Sequence, residues 1–405
     1  MSAPVLQHSF GDLSRALRET TERLAREVHA PGGDPPPWTD LEWRVARASA
    51  ALQGTSTLLA NRLRWRGPDD WQSFLERQRA QSVLRDIKID ETLALLDDSL
   101  RATGVGAIAL KGAALRRVAL YLPGERPMGD IDLLASNADT ERVVAALAAA
   151  GYRHSFSSRR HVVFEPEVKT VGDEFGEHVG NALKVEVHLR IAEPLPRDFV
   201  DITTSLLPRR PDPGLHAYPD ITALLEHLLL HAAGNMRAHA LRQVQLHDIA
   251  MLARRLGPGE WQHLLDPRRP GGRWWLYPPL ALAADYYAGC IPPAALAAAR
   301  AACRPWLRRA QRGVTLTRVS WSNLRIAAFP GIAWSGSPVE ALSFVRSRVF
   351  PDRKALEEIE DARRAMATLD RIPWYGESHR KRNARWVFSR PPRVQTMNSV
   401  QAALQ

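Results

Sequence analysis

The chain has only two cysteines, Cys290 and Cys303, among 405 residues. Two thiols cannot build the disulfide framework of a small secreted domain, and they are too few for a zinc cluster of cysteine ligands. Long apolar runs are missing as well, because no stretch reaches the roughly 18 apolar residues of a membrane-spanning helix. The first residues, MSAPVLQHSFGDLSRALRE, lack the apolar core of a secretory signal. We therefore expect a cytoplasmic protein with no membrane partner.

Lysine is also scarce, whereas arginine is abundant, and the formal net charge is +11. A basic balance favours nucleic acids, nucleotides or acidic partners, but arginine-rich composition also accompanies a high genomic GC content. The densest basic run, HRKRNARWVFSRPPRV at residues 379–394, is either a phosphate-binding segment or a solvated end. No RNA-binding motif accompanies it. The charge thus permits a nucleic acid partner without supporting one.

Hydrophobic spacing divides the chain into regions. Residues 1–104 space apolar residues at three and four, as amphipathic helices do, with PGGDPPPW as an interruption. Residues 105–191 mix short strands with helices, and residues 192–378 return to helical spacing. We expect residues 379–405 to form a basic, flexible tail. The pattern predicts an α+β fold, in which a small mixed β-sheet core is embedded between N-terminal and C-terminal helical regions.

Within the central region, the alternation between strand and helix patterns is regular. GAIALKG predicts a buried strand that ends at Gly112, and AALRRVALYL predicts a helix after it. GDIDLLA predicts a second strand, ADTERVVAALAAAG a capped helix, and ALKVEVHLRI an alternating strand. YRHSFS and RHVVFEP are predicted as additional strands. Together these segments predict a small α/β unit with a mixed sheet.

Two aspartates, Asp130 and Asp132, lie two residues apart in DIDLL. Residues i and i+2 of a strand share a face, so these carboxylates should lie side by side while Ile131 and Leu133 point into the core. Adjacent carboxylates repel each other, so either a cation lies between them or the strand ends in solvent. Mg²⁺ is the natural candidate, with Mn²⁺ as the alternative, because carboxylates and substrate phosphates commonly hold it.

A strand ending in LKG, a helix, a strand with DID and a later strand with EVH together resemble the nucleotidyltransferase superfamily with the polymerase-β-like fold. The chain resembles in particular a bacterial family of this superfamily whose substrates are largely unassigned. The resemblance covers about residues 105–191 and is carried by Lys111, Gly112, Tyr121, Arg126, Asp130, Asp132, Glu186 and His188. The usual Gly-Ser turn is Gly112-Ala113 here, and the spacing from Gly112 to the first aspartate is longer than in compact members. These departures leave an inactive copy as an alternative.

The resemblance implies three catalytic residues that also bind metal: Asp130, Asp132 and Glu186. It also implies a nucleotide-binding role for Lys111, Gly112 and Arg126. Backbone N–H groups at the Gly112 turn would approach the triphosphate, and Lys111 or Arg126 would neutralise phosphate charge. Lys111 is alternatively a surface residue at a strand end, and Arg126 alternatively pairs with one of the two aspartates.

Several other polar residues have both a functional and a structural interpretation. His188 is a hydrogen-bonding partner of the ligands or a participant, and Tyr121 is assigned to helix packing. His227 and His231 have metal-ligand spacing on a helix, although they lack the glutamate of a zinc protease. A hydrogen bond between His231 and Asp248 that locks two helices is the favoured alternative, and a place on the far wall of the substrate cleft is the other.

The sequence thus predicts a Mg²⁺-dependent nucleotidyltransferase. It would transfer a nucleoside monophosphate, AMP from ATP, to an unidentified small-molecule, peptide or protein acceptor, with a natural-product biosynthetic cluster as one setting. An RNA end is a second acceptor that the basic charge permits. The rival hypothesis is a non-catalytic nucleotide-binding or partner-binding module in a toxin–antitoxin or biosynthetic complex, against which three intact carboxylates argue.

Overall fold

The computed structural model describes residues 8–157, 161–168, 170, 172, 175–196, 199–353, 356–357 and 378–405. Seventeen α-helices lie in these residues: α1 (Phe10–His29), α2 (Asp40–Gln53), α3 (Ser56–Arg62), α4 (Asp69–Ala102), α5 (Lys111–Arg117), α6 (Thr140–Ala149), α7 (Thr203–Leu206), α8 (Ile221–Ala238), α9 (Gln243–Ala253), α10 (Pro258–Leu265), α11 (Tyr277–Tyr286), α12 (Pro293–Ala302), α13 (Pro305–Ala310), α14 (Leu316–Val319), α15 (Pro338–Val349), α16 (His379–Phe388) and α17 (Val394–Leu404). The strands are β1 (Gly106–Ala109), β2 (Asp130–Ala135), β3 (Tyr152–Ser157), β4 (His161–Pro166), β5 (Lys184–His188), β6 (Ala192–Pro194), β7 (Phe199–Asp201) and β8 (Gly214–His216).

The first two helices begin where their sequence places capping side chains. The Ser9 hydroxyl accepts a hydrogen bond from the backbone N–H of Asp12, and Thr39 and Glu42 form a reciprocal capping box at the start of α2. Gly54 ends α2 with a left-handed backbone at φ 64°. The proline-rich segment between the two helices is therefore a true interruption, as its composition predicts.

Six strands form one mixed sheet in the order β3-β4-β5-β2-β1-β8, and β6 and β7 form a separate hairpin. Strand β2 pairs in parallel with β5 and antiparallel with β1, while β8 joins the outer edge in parallel with β1. The predicted α+β class, with a mixed sheet between helical regions, is confirmed. The sheet extends beyond the predicted boundary at residue 191, because β8 comes from residues 214–216.

Both faces of the sheet are covered by helices. Ile131 and Leu133 of β2 pack on one face with Leu96 of α4 and Val143 of α6. Leu134 points to the opposite face and joins the large helical core. Because Asp130 and Asp132 share that second face, their carboxylates point toward the C-terminal helices rather than toward solvent.

The large core crosses the predicted boundaries between regions. It contains Leu24 and Trp71 from the N-terminal helices together with Leu229 of α8 and Trp275 from the turn before α11. The two helical regions therefore pack into one continuous core around the sheet. None of the helices in the described ranges is long and apolar enough to cross a membrane.

Residues 394–404 correct the prediction of a flexible tail. They form α17, in which Met397, Val400 and Ala403 are buried against Leu13 of α1 and Val45 of α2. The apolar residues of this segment recur at intervals of three, so one face of the helix can pack.

The first strand and the first core helix are both shorter than predicted. Strand β1 ends at Ala109 rather than Gly112, and α5 ends at Arg117 rather than near residue 122. Ala119 has a left-handed backbone at φ 47°, which a continuing α-helix cannot contain. Tyr121 therefore lies in the loop after the helix and not on it.

Candidate active site

Three carboxylates from two neighbouring strands converge on one side of the sheet. Asp132 of β2 lies directly opposite Glu186 of β5 in the parallel register, and Asp130 lies one pleat away on the same face. One oxygen from each of the three residues lies within 4.8 Å of the others. We call Asp130, Asp132 and Glu186 the carboxylate cluster. The structure thus brings together the three residues that the sequence assigns to metal binding.

Lys111 neutralises part of this cluster. Its ammonium nitrogen lies 2.6 Å from Oδ1 of Asp132, and its side chain is only 16% exposed. Burial alone would lower the pKa of Lys111, but the charge of Asp132 and its two carboxylate neighbours outweighs burial and raises that pKa. Lys111 is therefore not a surface residue. Its ammonium would have to leave Asp132 before it could contact a phosphate.

The backbone of Lys111 is unusual for a residue with a side chain. Its φ of 46° is left-handed, and its N–H donates to the hydroxyl of Tyr218 at 3.3 Å. A non-glycine residue in this conformation costs about 1–2 kcal/mol. This conformation occurs at the junction of β1 and α5, where the chain turns the ammonium back toward Asp132.

His188 contacts the same oxygen of Asp132 from the other side. Its Nε2 lies 2.8 Å from Oδ1 of Asp132 and donates the hydrogen bond, because an ionised carboxylate can only accept. Burial alone would raise the pKa of Asp132, but the Lys111 ammonium and the His188 hydrogen bond hold it far below its ordinary value.

The other two carboxylates shift in the opposite direction. Burial and the charge of Asp132 raise the pKa of Asp130. Burial, with the charges of Asp132 and Asp130, raises the pKa of Glu186 to about 7. Lys111 therefore pairs directly with Asp132, whereas the pKa values of Asp130 and Glu186 stay raised despite nearby positive charges that include Arg242 and Lys184. An oxygen-only donor set with excess negative charge fits a hard divalent cation such as Mg²⁺.

Two histidines adjoin the carboxylate cluster on its far side. His161 of β4 lies opposite His188 of β5 in the antiparallel register. Nε2 of His161 lies 3.8 Å from Oε2 of Glu186, and Nε2 of His188 lies 3.9 Å from the same oxygen. Sequence analysis missed His161. Strand β4, which contains His161, was predicted. The strand that β4 pairs with depends on tertiary contacts.

Arg126 does not pair with either aspartate of the carboxylate cluster. Instead, its Nε and Nη2 donate to the two oxygens of Asp248 at 2.8 and 2.6 Å, and the hydroxyl of Tyr121 donates to Oδ1 at 2.7 Å. We call Tyr121, Arg126 and Asp248 the Asp248 cluster. Burial alone would lower the pKa of Arg126, but Asp248 raises it above its ordinary value. Tyr121 also packs against the helical core, with its ring centroid 5.7 Å from that of His247 in α9, so its hydroxyl bond to Asp248 adds to the predicted packing role.

The expected hydrogen bond between His231 and Asp248 is also absent from the described contacts. Nε2 of His231 instead accepts from the amide of Asn235 at 3.1 Å, and Nδ1 of His227 lies 2.6 Å from the Tyr218 hydroxyl. Burial and the nearby Lys111 charge hold the pKa of both histidines well below the ordinary value, so both imidazoles are neutral. Neither belongs to a metal-ligating group of the described residues.

Gly112 has a steric reason to be glycine. A Cβ there would lie 2.6 Å from Nη1 of Arg126 and 2.9 Å from the side chain of Met128. The missing side chain lets Arg126 cross above the first turn of α5 toward Asp248. This close approach of a guanidinium gives Gly112 a role besides the predicted approach of backbone to phosphate.

Two cavities meet at the carboxylate cluster. The larger, about 240 Å³, is lined by Gly112, Arg126, Asp130 and Arg242 among others. The smaller, about 110 Å³, includes the following residues in its wall: His161, His188, Arg190, Glu193 and His227. Lys111, Glu186 and His231 line both cavities. Arg242 was also missed by sequence analysis, since nothing near LRQVQLHD marks it as part of a distant site.

Residues 39–287 match the family described as "Uncharacterised nucleotidyltransferase". The match spans more than half of the chain, so this protein belongs to that nucleotidyltransferase family. Comparisons with curated proteins and with solved structures found no match. The predicted resemblance to a nucleotidyltransferase family is confirmed, and the enzyme class follows from membership. The bacterial branch of the superfamily stays a prediction.

Proposed function

We propose that the protein transfers a nucleoside monophosphate, AMP from ATP, to a hydroxyl or similar group on a small molecule, peptide or protein. The observation that supports this best is the convergence of Asp130, Asp132 and Glu186 within 4.8 Å beside a cavity that also contains two arginines. These three residues would hold Mg²⁺, with Mn²⁺ as the alternative. The bound ion would stabilise negative charge on the transferring phosphoryl group.

The two cavities suggest how the substrates are arranged. The triphosphate would lie in the larger cavity, where Arg126 and Arg242 supply positive charge, and the acceptor would lie in the smaller one. Glu186 lines both cavities and so would lie between the acceptor hydroxyl and the α-phosphate. The family match includes His227 of α8 and Arg242 just before α9, which supports a role for the C-terminal helical region in the site.

The reaction forms one bond and breaks one bond. The acceptor oxygen attacks the α-phosphorus in line, and the bond from that phosphorus to the pyrophosphate oxygen breaks. Glu186, which lines both cavities, would be placed to accept the acceptor's proton. Lys111 would leave Asp132 when the cation binds and would then neutralise phosphate charge.

The test is pyrophosphate release from ATP, GTP, CTP and UTP with Mg²⁺, together with label transfer from α-labelled nucleotide. We expect ATP to be the preferred substrate. Asp132→Asn should lower turnover at least roughly 10²–10³-fold, because a charge that stabilises the transition state is lost. Asp98→Asn, which makes the same charge change on the exposed surface of α4, is the matched control. Wild-type turnover in Asp132→Asn would rule out the assignment.

One observation favours the alternative of a non-catalytic binding module. The ammonium of Lys111 lies 2.6 Å from Asp132 and so takes the position that a cation would need. If the lysine never leaves, the chain would bind nucleotide without consuming it. Calorimetry that shows ATP binding, combined with no pyrophosphate release from any of the four nucleotides, would select this alternative.

A further inference from the structure

We propose that His161, Glu186 and His188 form a second metal site, which takes a divalent transition-metal ion with affinity for imidazole, such as Zn²⁺ or Co²⁺. One ligand atom from each of the three residues lies within 4.8 Å of the others. The site is distinct from the oxygen-only cluster, although Glu186 belongs to both. The proposal concerns metal binding alone and stands whether or not the chain transfers nucleotides.

The sheet places the three donors around one point. His161 and His188 lie opposite each other on β4 and β5, with ring centroids 5.2 Å apart, and Glu186 shares their face two residues earlier on β5. The two Nε2 atoms lie 3.8 and 3.9 Å from Oε2 of Glu186. Donors at about 2.1 Å from a tetrahedral ion lie about 3.4 Å apart. Small side-chain movements therefore close the three donors onto one ion.

The donor set decides the class of ion. Two imidazole nitrogens and one carboxylate match the ligands of catalytic zinc sites, which keep a fourth position open. Mg²⁺ strongly prefers oxygen, so the histidines discriminate against it. The cavity of about 110 Å³ is lined by all three residues and provides room for that fourth ligand. The proposed transition metal would thus lie on the acceptor side of Glu186.

Metal binding at this site should also change the first cluster. The Nε2 of His188 that would bind the ion is the atom that donates to Asp132 at 2.8 Å. One nitrogen cannot hold a proton for Asp132 and bind the ion at once. Occupation of the second site therefore removes one partner of Asp132 and leaves that oxygen more available to a cation at the first site.

The experiment uses the full chain, stripped of metal with a chelator and then titrated with Co²⁺ in excess Mg²⁺. Co²⁺ with imidazole ligands absorbs visible light, so binding is read without any activity. We expect the wild-type chain to bind Co²⁺ despite the Mg²⁺, and His161→Ala to weaken binding at least about tenfold, since even outer partners of metal ligands are worth this much. Asp130→Asn, which alters only the oxygen cluster, should retain the Co²⁺ affinity.

His154→Ala is the matched control, because His154 is an exposed histidine on the neighbouring strand β3 and belongs to neither cluster. His161→Phe is the second variant. It keeps an aromatic ring near Phe156, whose centroid lies 6.2 Å from that of His161, but offers no nitrogen. Equal Co²⁺ affinity in His161→Phe and His154→Ala would overturn the proposal. So would equal losses in Asp130→Asn and His161→Ala, because the ion would then lie among the carboxylates. Failure of pyrophosphate release would not affect either readout.

Discussion

Two buried groups of charges line the larger cavity, and they differ in how fully their charges are matched. In the Asp248 cluster, Arg126 offers two N–H groups to the two oxygens of Asp248, and Tyr121 adds a third donor. In the carboxylate cluster, the ammonium of Lys111 pairs with Asp132, while burial and mutual repulsion raise the pKa of Asp130 and Glu186 despite the nearby positive charges of Arg242 and Lys184. The charges of the Asp248 cluster are balanced without a ligand. The carboxylate cluster is balanced only when positive charge is added.

This difference distinguishes a group of charges that stabilises the fold from a group that is suited to binding a ligand. A complete buried ion pair fixes the position of two elements, here the loop before β2 and helix α9. Excess buried charge is expensive and shifts the pKa of Glu186 upward to about 7. Sites for chemistry commonly keep such perturbed groups. Arg126 therefore holds the two regions together through Asp248, and under the proposed function the carboxylates bind a cation.

The largest expected effect on stability comes from breaking the complete group. Arg126→Leu leaves Asp248, which is 1% exposed, without its ionic partner, and should lower the free energy of unfolding by about 3–5 kcal/mol. The double variant Arg126→Leu/Asp248→Leu should recover most of this loss, because no unpaired charge stays buried. Urea unfolding of the two single variants and the double variant measures the coupling. If the double variant lost the sum of the two single-variant losses in unfolding free energy, Arg126 and Asp248 would not act as a unit.

Within the incomplete group, the two aspartates should behave differently when no divalent metal is present. Asp132→Asn deprives buried Lys111 of its partner and should destabilise the protein by about 1–3 kcal/mol. Asp130→Asn removes repulsion and should leave the melting temperature unchanged or higher, because the pKa of Asp130 is raised in the folded chain. Thermal melts in chelator compare the two. Equal losses would mean that Lys111 does not distinguish them.

The free energy of unfolding should depend on pH because of the negative charge in the carboxylate cluster. The pKa of Glu186 rises from its ordinary 4.5 to about 7 on folding, so between these pH values the folded chain holds a proton that the unfolded chain has lost. Stability contributed by this group therefore falls as pH rises from 4.5 to 7, by at most about 1.4 kcal/mol per pH unit. Urea unfolding at several pH values should show this decline in the wild-type chain without metal. Glu186→Gln should lack it, and a decline that persists in this variant would assign it elsewhere.

The smallest expected effect concerns the backbone of Lys111. Both Lys111→Ala and Lys111→Gly remove the ammonium, but only glycine adopts φ 46° without strain. The glycine variant should therefore be more stable than the alanine variant by about 1 kcal/mol. Parallel urea titrations of the two variants suffice. Equal stability would indicate that the junction between β1 and α5 relaxes in the variants.

The helices and strands of the core were predicted well because the spacing of apolar residues that indicates each of them lies within one short stretch of sequence. The alternation in KVEVH and the D-x-D spacing each follow from the two-residue period of a strand, so they predicted that the carboxylates share a face. Their convergence also needed β2 and β5 to be neighbours, which the family resemblance supplied. In α17, the apolar residues at 394, 397 and 400 lie at helical spacing, although residues 379–405 were predicted to form a flexible tail.

The contacts that sequence analysis missed all depend on tertiary structure. Asp248 binds Arg126 across 122 positions of sequence, and nothing local distinguishes that arginine from the many others in the chain. His161 joins the site only because of the register between β4 and β5. Sequence spacing also treated Asp130 and Asp132 as equivalent, whereas Lys111 and His188 both hydrogen-bond to Asp132. The sequence indicated which segments form helices and strands, but it did not indicate which side chains contact each other.

The packing of α17 against α1 and α2 has a consequence for how the chain folds during synthesis. Leu13 and Val45 emerge from the ribosome early, but the residues that cover them, Met397 and Val400, are made more than 300 residues later. Translation at about 5–20 residues per second leaves that apolar surface open for tens of seconds. The contacts of α17 with α1 and α2 can therefore form only after Met397 and Val400 have been made.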